Sequence, residues 1–349
     1  MKRWTPAAAV LASAALIVAA ALPADAATTS IAVTDATGPA AVDVLSNRVY
    51  VGTTPADPGP VEHWNSSAGV AQVDLMTKKV VKSVTVLTLL SYAIGAGVSD
   101  VEVSPTSKDL WVLVGAVTTG YGCYATLYQL DKNSLASVRK YDLGCTRKIE
   151  LDPTSRLAYL TEAPLYNDVG DDAQPVTPAT VVVIDGASGT VRRADIPAPT
   201  RPVFSITEDY QPTSIAFNLR NRRLYVVGQG SAWVYSTKLA LLHTTELGYG
   251  TDKPLSAAAN PVTNQIYVAD RDKVTELSGR TDEVTRTSVL SGDSSMVIDP
   301  RATVLYRGTN TINLDTLRSV GQQKRVIQAV NPFTRTRYSV GSGQLYAER

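Results

Sequence analysis

The sequence predicts an all-β protein: a seven-bladed β-propeller with four antiparallel strands per blade, its ring closed by the N-terminal strand joining the C-terminal blade. Three observations carry this. One short phrase recurs seven times, and a second hairpin pattern follows each copy. No stretch shows the 3.6-residue apolar period of an amphipathic helix.

The clearest copy of the phrase runs from Ser256 to Asp270. It reads as a strand of small residues, an Asn-Pro turn and an alternating strand. Pro261 presets φ for the turn, and the side chain of Asn260 can bond the backbone ahead of it. Asn264 tolerates the left-handed conformation that closes such turns. Ile266 and Val268 then face one way, Tyr267 and Ala269 the other.

The remaining copies, in chain order, are Asp43–Gly52, Val103–Leu113, Leu151–Leu160, Phe217–Val227, Ile298–Tyr306 and Val330–Tyr338. Their anchoring aromatics are Tyr50, Trp111, Tyr159, Tyr225, Tyr267, Tyr306 and Tyr338, spaced by 61, 48, 66, 42, 39 and 32 residues. A repeat of about 40–50 residues suits a four-stranded blade. The second hairpins open their turns at Asp74, Asp131, Asp185, Ser278 and Asp315. Val181–Arg192 is the plainest, a Val/Ile strand with Gly186 and Gly189 in its turn. The seventh unit lacks a fourth strand after Gln344–Ala347. Thr28–Thr34, ahead of the first phrase, supplies one and so closes the ring.

Residues 1–26 read as a secretory signal peptide: Lys2 and Arg3, an apolar run over Ala7–Ala21, then Ala24-Asp-Ala26 as the cleavage site. Residues 27–349 are expected to form one exported propeller domain, secreted or associated with the cell envelope, with no membrane span. A monomer is expected. Losing Lys2, Arg3 and Asp25 leaves 31 basic and 31 acidic residues, a balance that argues against a nucleic-acid partner. Cys123 and Cys145 are the only cysteines. They flank a hairpin whose turn is Asp131–Ser134. In an exported chain this points to a disulfide, with free thiols or a metal pair as the other outcomes.

If strands A to D run from the axis outward, the A–B and C–D turns share one end of the ring, and the B–C and D–A connections share the other. Blades one to three carry long B–C insertions, and Leu87–Asp100 and Ile196–Pro212 read as long D–A loops at the same end. The candidate ligand-binding residues there are Glu62, His63 and Trp64 in blade one, Tyr121 and Tyr124 in blade two, Tyr166 in blade three, and Tyr210. Aromatic rings with carboxylates and amides suit a glycan, a peptide or a protein partner. Such loops also occur simply as solvated connections. Asn167, Asp168, Asp171 and Asp172 are the densest oxygen cluster and the candidate metal ligands for Ca2+ or Mg2+, although their spacing is not that of the twelve-residue calcium loop. Without them no cofactor is expected.

No catalytic residue is assigned. His63 and His243 lie in different blades, and there is no nucleophile elbow and no phosphate loop. His243 falls on an outermost strand. Trp111 and Trp233 read as packing between blades. The arginines of Arg220–Arg223 and Arg335–Arg337 read as solvated turns at the opposite end.

Asn260-Pro-Val-Thr-Asn-Gln-Ile-Tyr-Val-Ala-Asp270, with Val183-Ile-Asp185, resembles the YVTN-type β-propeller repeat of exported and surface-layer proteins. Blades one, two, four and seven diverge more from that pattern. The resemblance spans essentially the whole chain after residue 26 and implies the propeller fold, while the family serves many roles. It leaves two functional expectations. One is a non-enzymatic binding or scaffold propeller that recognises its partner through the end bearing the insertions of blades one to three. The other is a metal-dependent hydrolase or lyase, like the propeller lactonases or cyclic-antibiotic lyases, with its site at the same end.

Overall fold

The computed structural model describes residues 28–54, 66–89, 93–118, 123–164, 177–197, 213–228, 230–248, 256–290 and 295–349. It contains 28 strands in seven four-stranded antiparallel sheets, the seven blades of a propeller. No helix occurs among the described residues.

The first strand, β1 (Thr29–Ala32), belongs to the last blade. Blade one is β2 (Ala36–Asp43), β3 (Arg48–Thr53), β4 (Ser66–Asp74) and β5 (Lys79–Leu89). Blade two is β6 (Ala93–Val103), β7 (Asp109–Thr118), β8 (Cys123–Asp131) and β9 (Ser137–Leu143). Blade three is β10 (Ile149–Leu151), β11 (Leu157–Glu162), β12 (Thr180–Asp185) and β13 (Val191–Asp195). Blade four is β14 (Ser214–Asn218), β15 (Arg223–Gly228), β16 (Ser231–Ser236) and β17 (Leu241–Glu246). Blade five is β18 (Ser256–Asn260), β19 (Gln265–Ala269), β20 (Lys273–Ser278) and β21 (Val284–Val289). Blade six is β22 (Met296–Asp299), β23 (Val304–Arg307), β24 (Asn310–Asn313) and β25 (Arg318–Gln322). Blade seven is β26 (Ala329–Asn331), β27 (Thr336–Gly341) and β28 (Gln344–Glu348), completed by β1.

The expected closure is therefore present. Thr29 pairs with Ala347 and Ala32 with Gln344, so the N-terminal strand covers the edge of β28. Ile31 is buried beside Val49, Tyr338 and Leu345, which joins blade seven to blade one. The first strands of successive blades pack on one another, β2 against β6 and, at the far side, β26 back against β2. They line the axis. Their inner edges carry no ladder partner, which is why Pro39 is tolerated in β2. The core lies between blades rather than within them. Trp111 and Leu127 of blade two pack with Ile149 and Ile184 of blade three, and Trp233 of blade four packs with Val181 and Ile196 of blade three. A lone blade has no such partner faces.

The phrase is an Asx-turn. At the end of the inner strand Asp43, Asp152, Asn218, Asn260, Asp299 and Asn331 accept backbone N–H bonds from residues two or three ahead, and Ser104 does the same through its hydroxyl. Asn264 closes its turn at φ 61°, as expected, and Asn47, Arg222, Thr303 and Arg335 adopt the same backbone in their own copies. The outer turns repeat the device at Asp74, Asp131, Asp185 and Ser278. Blade six differs by two residues. Its acceptor is Asn313, not Asp315, because Asn313 is where β24 ends.

Two loop expectations are corrected. Leu87–Asp100 is mostly strand, since β5 runs to Leu89 and β6 starts at Ala93. The B–C connection of blade two is also shorter than expected, because β7 and β8 pair as far as Val117 and Cys123. In β5 the Val/Thr alternation of Val84–Thr88 extends the ladder outward. Blades one and two approach closely here. A Cβ on Gly52 would lie 2.8 Å from Cγ1 of Val98.

Candidate functional site

Three regions could carry function: the end of the A–B and C–D turns, the axis, and the end of the B–C and D–A connections.

The turn end is built to hold the ring. Tyr50, Trp111 and Tyr225 among the anchoring aromatics reach the outer turn of the next blade. Tyr50 Oη donates to the Lys132 carbonyl at 3.0 Å, and Gln72 Nε2 donates to the same oxygen at 2.8 Å. Trp111 lies under Gly186, where a Cβ would meet its Cζ2 at 2.9 Å and the Arg156 carbonyl at 2.9 Å. Tyr225 Oη donates to Asp282 Oδ1 at 2.7 Å. Acidic residues of one blade also meet cations of the next: Asp43 with Lys132 at 2.9 Å, Asp109 with Arg156 at 2.6 Å, and Asp152 with Arg222 at 2.5 Å.

Of the arginines expected to be solvated turns, Arg335 is exposed, whereas Arg220, Arg222, Arg223 and Arg337 are connectors. Arg222 reaches blade three, while Arg223 and Arg220 reach blade five through Asp282 and the Val262 carbonyl. Arg337 bonds Gln323 and the Arg349 carbonyl. Each turn projects toward a neighbouring blade, so its guanidinium finds acceptors there. Burial alone would raise the Asp109 and Asp152 carboxyls. Hydrogen bonds outweigh it and hold both below the ordinary range, from Arg156, Ser107 and Gln129 in one case and from Thr154, Ser155 and Arg222 in the other.

The axis holds a charged cluster that the sequence reading passed over. Asp100 and Glu102 alternate along β6, and Lys148 and Glu150 flank Ile149 at the start of β10. Lys148 Nζ contacts Glu150 Oε1 at 2.8 Å. It also donates to the Ile215 carbonyl of β14 at 3.1 Å and to the Ala257 carbonyl of β18 at 2.8 Å. Asp100 Oδ2 accepts the Ile149 N–H at 2.8 Å. One lysine thereby satisfies the unladdered inner edges of two further blades.

About a quarter of the Lys148 and Glu150 side chains stays open, 26% and 23%. Desolvation is nonetheless the largest influence on the ionisation of Asp100, Glu102 and Lys148. Burial, with Glu150 adding to it, pushes Asp100 up to about 7 against the opposing Ile149 N–H and Lys148. Burial, then Asp100 and Glu150, raise Glu102 well above the carboxylate range. Burial alone would lower Lys148, but Glu150, Asp100 and Glu102 together hold it up. The detectable signal was the alternation of charges in innermost strands, which elsewhere are small and apolar, as in Ala257-Ala-Ala259.

At the connection end, Glu62, His63, Trp64, Tyr121, Tyr166, Asn167, Asp168, Asp171, Asp172 and Tyr210 lie outside the described residues. Tyr124 stands near the start of β8 opposite Ala116 and is 56% exposed. Cys145 follows β9 and is half-buried, and no free cysteine occurs among the described residues. His243 lies exposed on the outermost strand β17, as expected. Among the described residues no group of three or more His, Cys, Asp or Glu is placed to hold a metal ion. No helix among them is long and apolar enough to cross a membrane.

The fold defines the class: a seven-bladed β-propeller with Asx-turn blades and a strand-closed ring. In comparisons with known proteins, no family profile matches the chain and no curated protein matches it. Solved structures do. A chain of the crystal structure of a mitotic checkpoint complex is similar to it with a TM-score of 0.60 at 12% identity, over 95% of each chain. At that identity the likeness is one of fold alone.

Proposed function

We propose that this chain is an exported, non-enzymatic binding scaffold of the YVTN type, which recognises a glycan, peptide or protein partner through the end that carries the insertions of blades one to three. The observation behind this reading is the unequal use of the two ends. Charged and phenolic side chains at the turn end are engaged with neighbouring blades, as in Lys132–Asp43, Arg222–Asp152 and Tyr225–Asp282. The opposite end carries the longer connections and the exposed Tyr124. The structural neighbour comes from a complex, and a propeller that serves in an assembly supports a protein partner here. Export rests on residues 1–26, and N-terminal sequencing of secreted protein should begin at Ala27.

The test is binding of the exported chain to glycan and peptide arrays, followed by alanine substitution of Trp64, Tyr121, Tyr124, Tyr166 and Tyr210. Graded losses of affinity, about tenfold for a central aromatic, support the reading. Binding that survives all five substitutions sinks it. Turnover that requires Ca2+ or Mg2+ and disappears in Asp168→Ala or Asp172→Ala would establish the metal-dependent hydrolase or lyase instead.

A further inference from the structure

The four charged groups at the axis do not enter that binding reading, and they join more of the ring than any single turn contact does. Lys148 belongs to blade three. Its ammonium spans from Glu150 to carbonyls of blades four and five. Asp100 of blade two holds the backbone of blade three at Ile149. Three carboxyl groups act on one ammonium, so full ionisation would leave two net negative charges at the axis.

The remaining inner strands offer nothing to balance them. β14, β18 and β26 contain no titratable residue. The one titratable residue of β2 is Asp43, at its turn end and paired with Lys132. That of β22 is Asp299, engaged by its own turn. Protons supply compensation, and sharing them is cheaper than holding like charges together.

We propose that Asp100, Glu102, Lys148 and Glu150 form a proton-loaded lock at the axis, which draws blades two to five together while Asp100 and Glu102 retain protons and slackens when those protons leave. The direction follows from linkage. Asp100 and Glu102 bind protons more tightly folded than unfolded, so the stability they contribute is complete below pH about 4. It is lost as pH rises through the folded value, about 7 for Asp100. Lys148 stays charged throughout that window, because Glu150 beside it holds it up.

Two measurements on the chain from residue 27 to 349 test this. The first is carboxyl carbon NMR with Asp and Glu side chains labelled. A carboxyl resonance titrating near pH 7, and absent from Asp100→Asn, is expected. If every carboxyl of the unmodified protein titrates below pH 5.5, the lock does not exist. The second is thermal unfolding between pH 5 and pH 8. The unmodified chain should lose about 5 °C or more across that range, and the Asp100→Asn, Glu102→Gln variant about half of that or less. An equal fall in both overturns the proposal. Should the double variant fail to fold, the titration of the unmodified protein decides alone.

Discussion

The phenol of Tyr225 donates a 2.7 Å hydrogen bond to Oδ1 of Asp282, and this pair ties the inner hairpin of blade four to the outer turn of blade five. Both residues are buried. Arg223 pairs with the other carboxylate oxygen of Asp282, and Asn221 donates to the Tyr225 oxygen at 2.8 Å. Tyr225→Phe should destabilise the protein by about 1.5–3 kcal/mol, because a bond to a charged acceptor is lost and Oδ1 keeps no equal replacement. Urea unfolding measures this as a lower midpoint at unchanged slope.

Tyr159 is the counterpart in blade three and should behave differently. Its ring stacks on Phe217 at 5.3 Å, but its hydroxyl is buried and makes no hydrogen bond among the described residues. Tyr159→Phe keeps the stack and removes an unsatisfied polar group. Stability should stay equal or rise in the same urea experiment, whereas a loss of more than about 1 kcal/mol would show that the hydroxyl has a partner.

The closing strand should be essential to the whole ring. Ile31→Ala removes a side chain buried between blades seven and one, with an expected loss of about 2–5 kcal/mol. Deleting residues 27–34 removes in addition the four pairs from Thr29–Ala347 to Ala32–Gln344. It also bares the edge of β28. The truncated chain should unfold at much lower temperature and aggregate on heating, as followed by calorimetry and light scattering.

The two cysteines should be bonded to each other. Ala125 pairs with Leu143 at the end of the β8–β9 ladder, and Cys123 and Cys145 each lie two residues beyond that pair in the chain. Intact mass after alkylation should show no label on the exported protein and two labels after reduction. Reduction should cost about 3 kcal/mol, the loop-closure value for a loop of this length. Labelling without reduction would refute the bond.

The acid limb of the stability profile should have the opposite slope from the axial cluster. Hydrogen bonds outweigh burial to hold Asp109, Asp152 and Glu162 below their ordinary values, and backbone N–H bonds do the same for Asp74, Asp131 and Asp185 at the outer turns. Groups of this kind stabilise the fold above their unfolded values, near pH 4, and the contribution is lost as pH falls through the depressed ones. Urea midpoints should therefore drop steeply below pH 4, and Arg156→Met should shallow that drop by freeing Asp109.

Much of this architecture was legible because it is local and repeated. Asn260 and Pro261 encode a turn by their own chemistry, and Tyr267 follows at a fixed distance, so seven approximate copies reinforce one reading. The shift from Asp315 to Asn313 shows its limit, since both residues suit an Asx-turn and only the end of β24 chooses between them. The lengths of β5 and β6 are not legible for a similar reason. Whether a Val/Thr-rich segment leaves the sheet depends on a partner strand that is distant in sequence.

The candidate site was legible only as residue type and topology. Tyr124 stands exposed near the start of β8, but nothing in the chain order shows which side chains at that end converge. The sequence by itself determined the number of blades, the turn chemistry and the closure by β1, because each follows from short-range patterns or from counting strands. Only the tertiary structure decided that Arg222 and Arg223 hold neighbouring blades, and that Asp100, Glu102, Lys148 and Glu150 meet at the axis. Those meetings are set by how the ring closes in space, and Lys148 lies 109 residues from the carbonyl of Ala257 that it bonds.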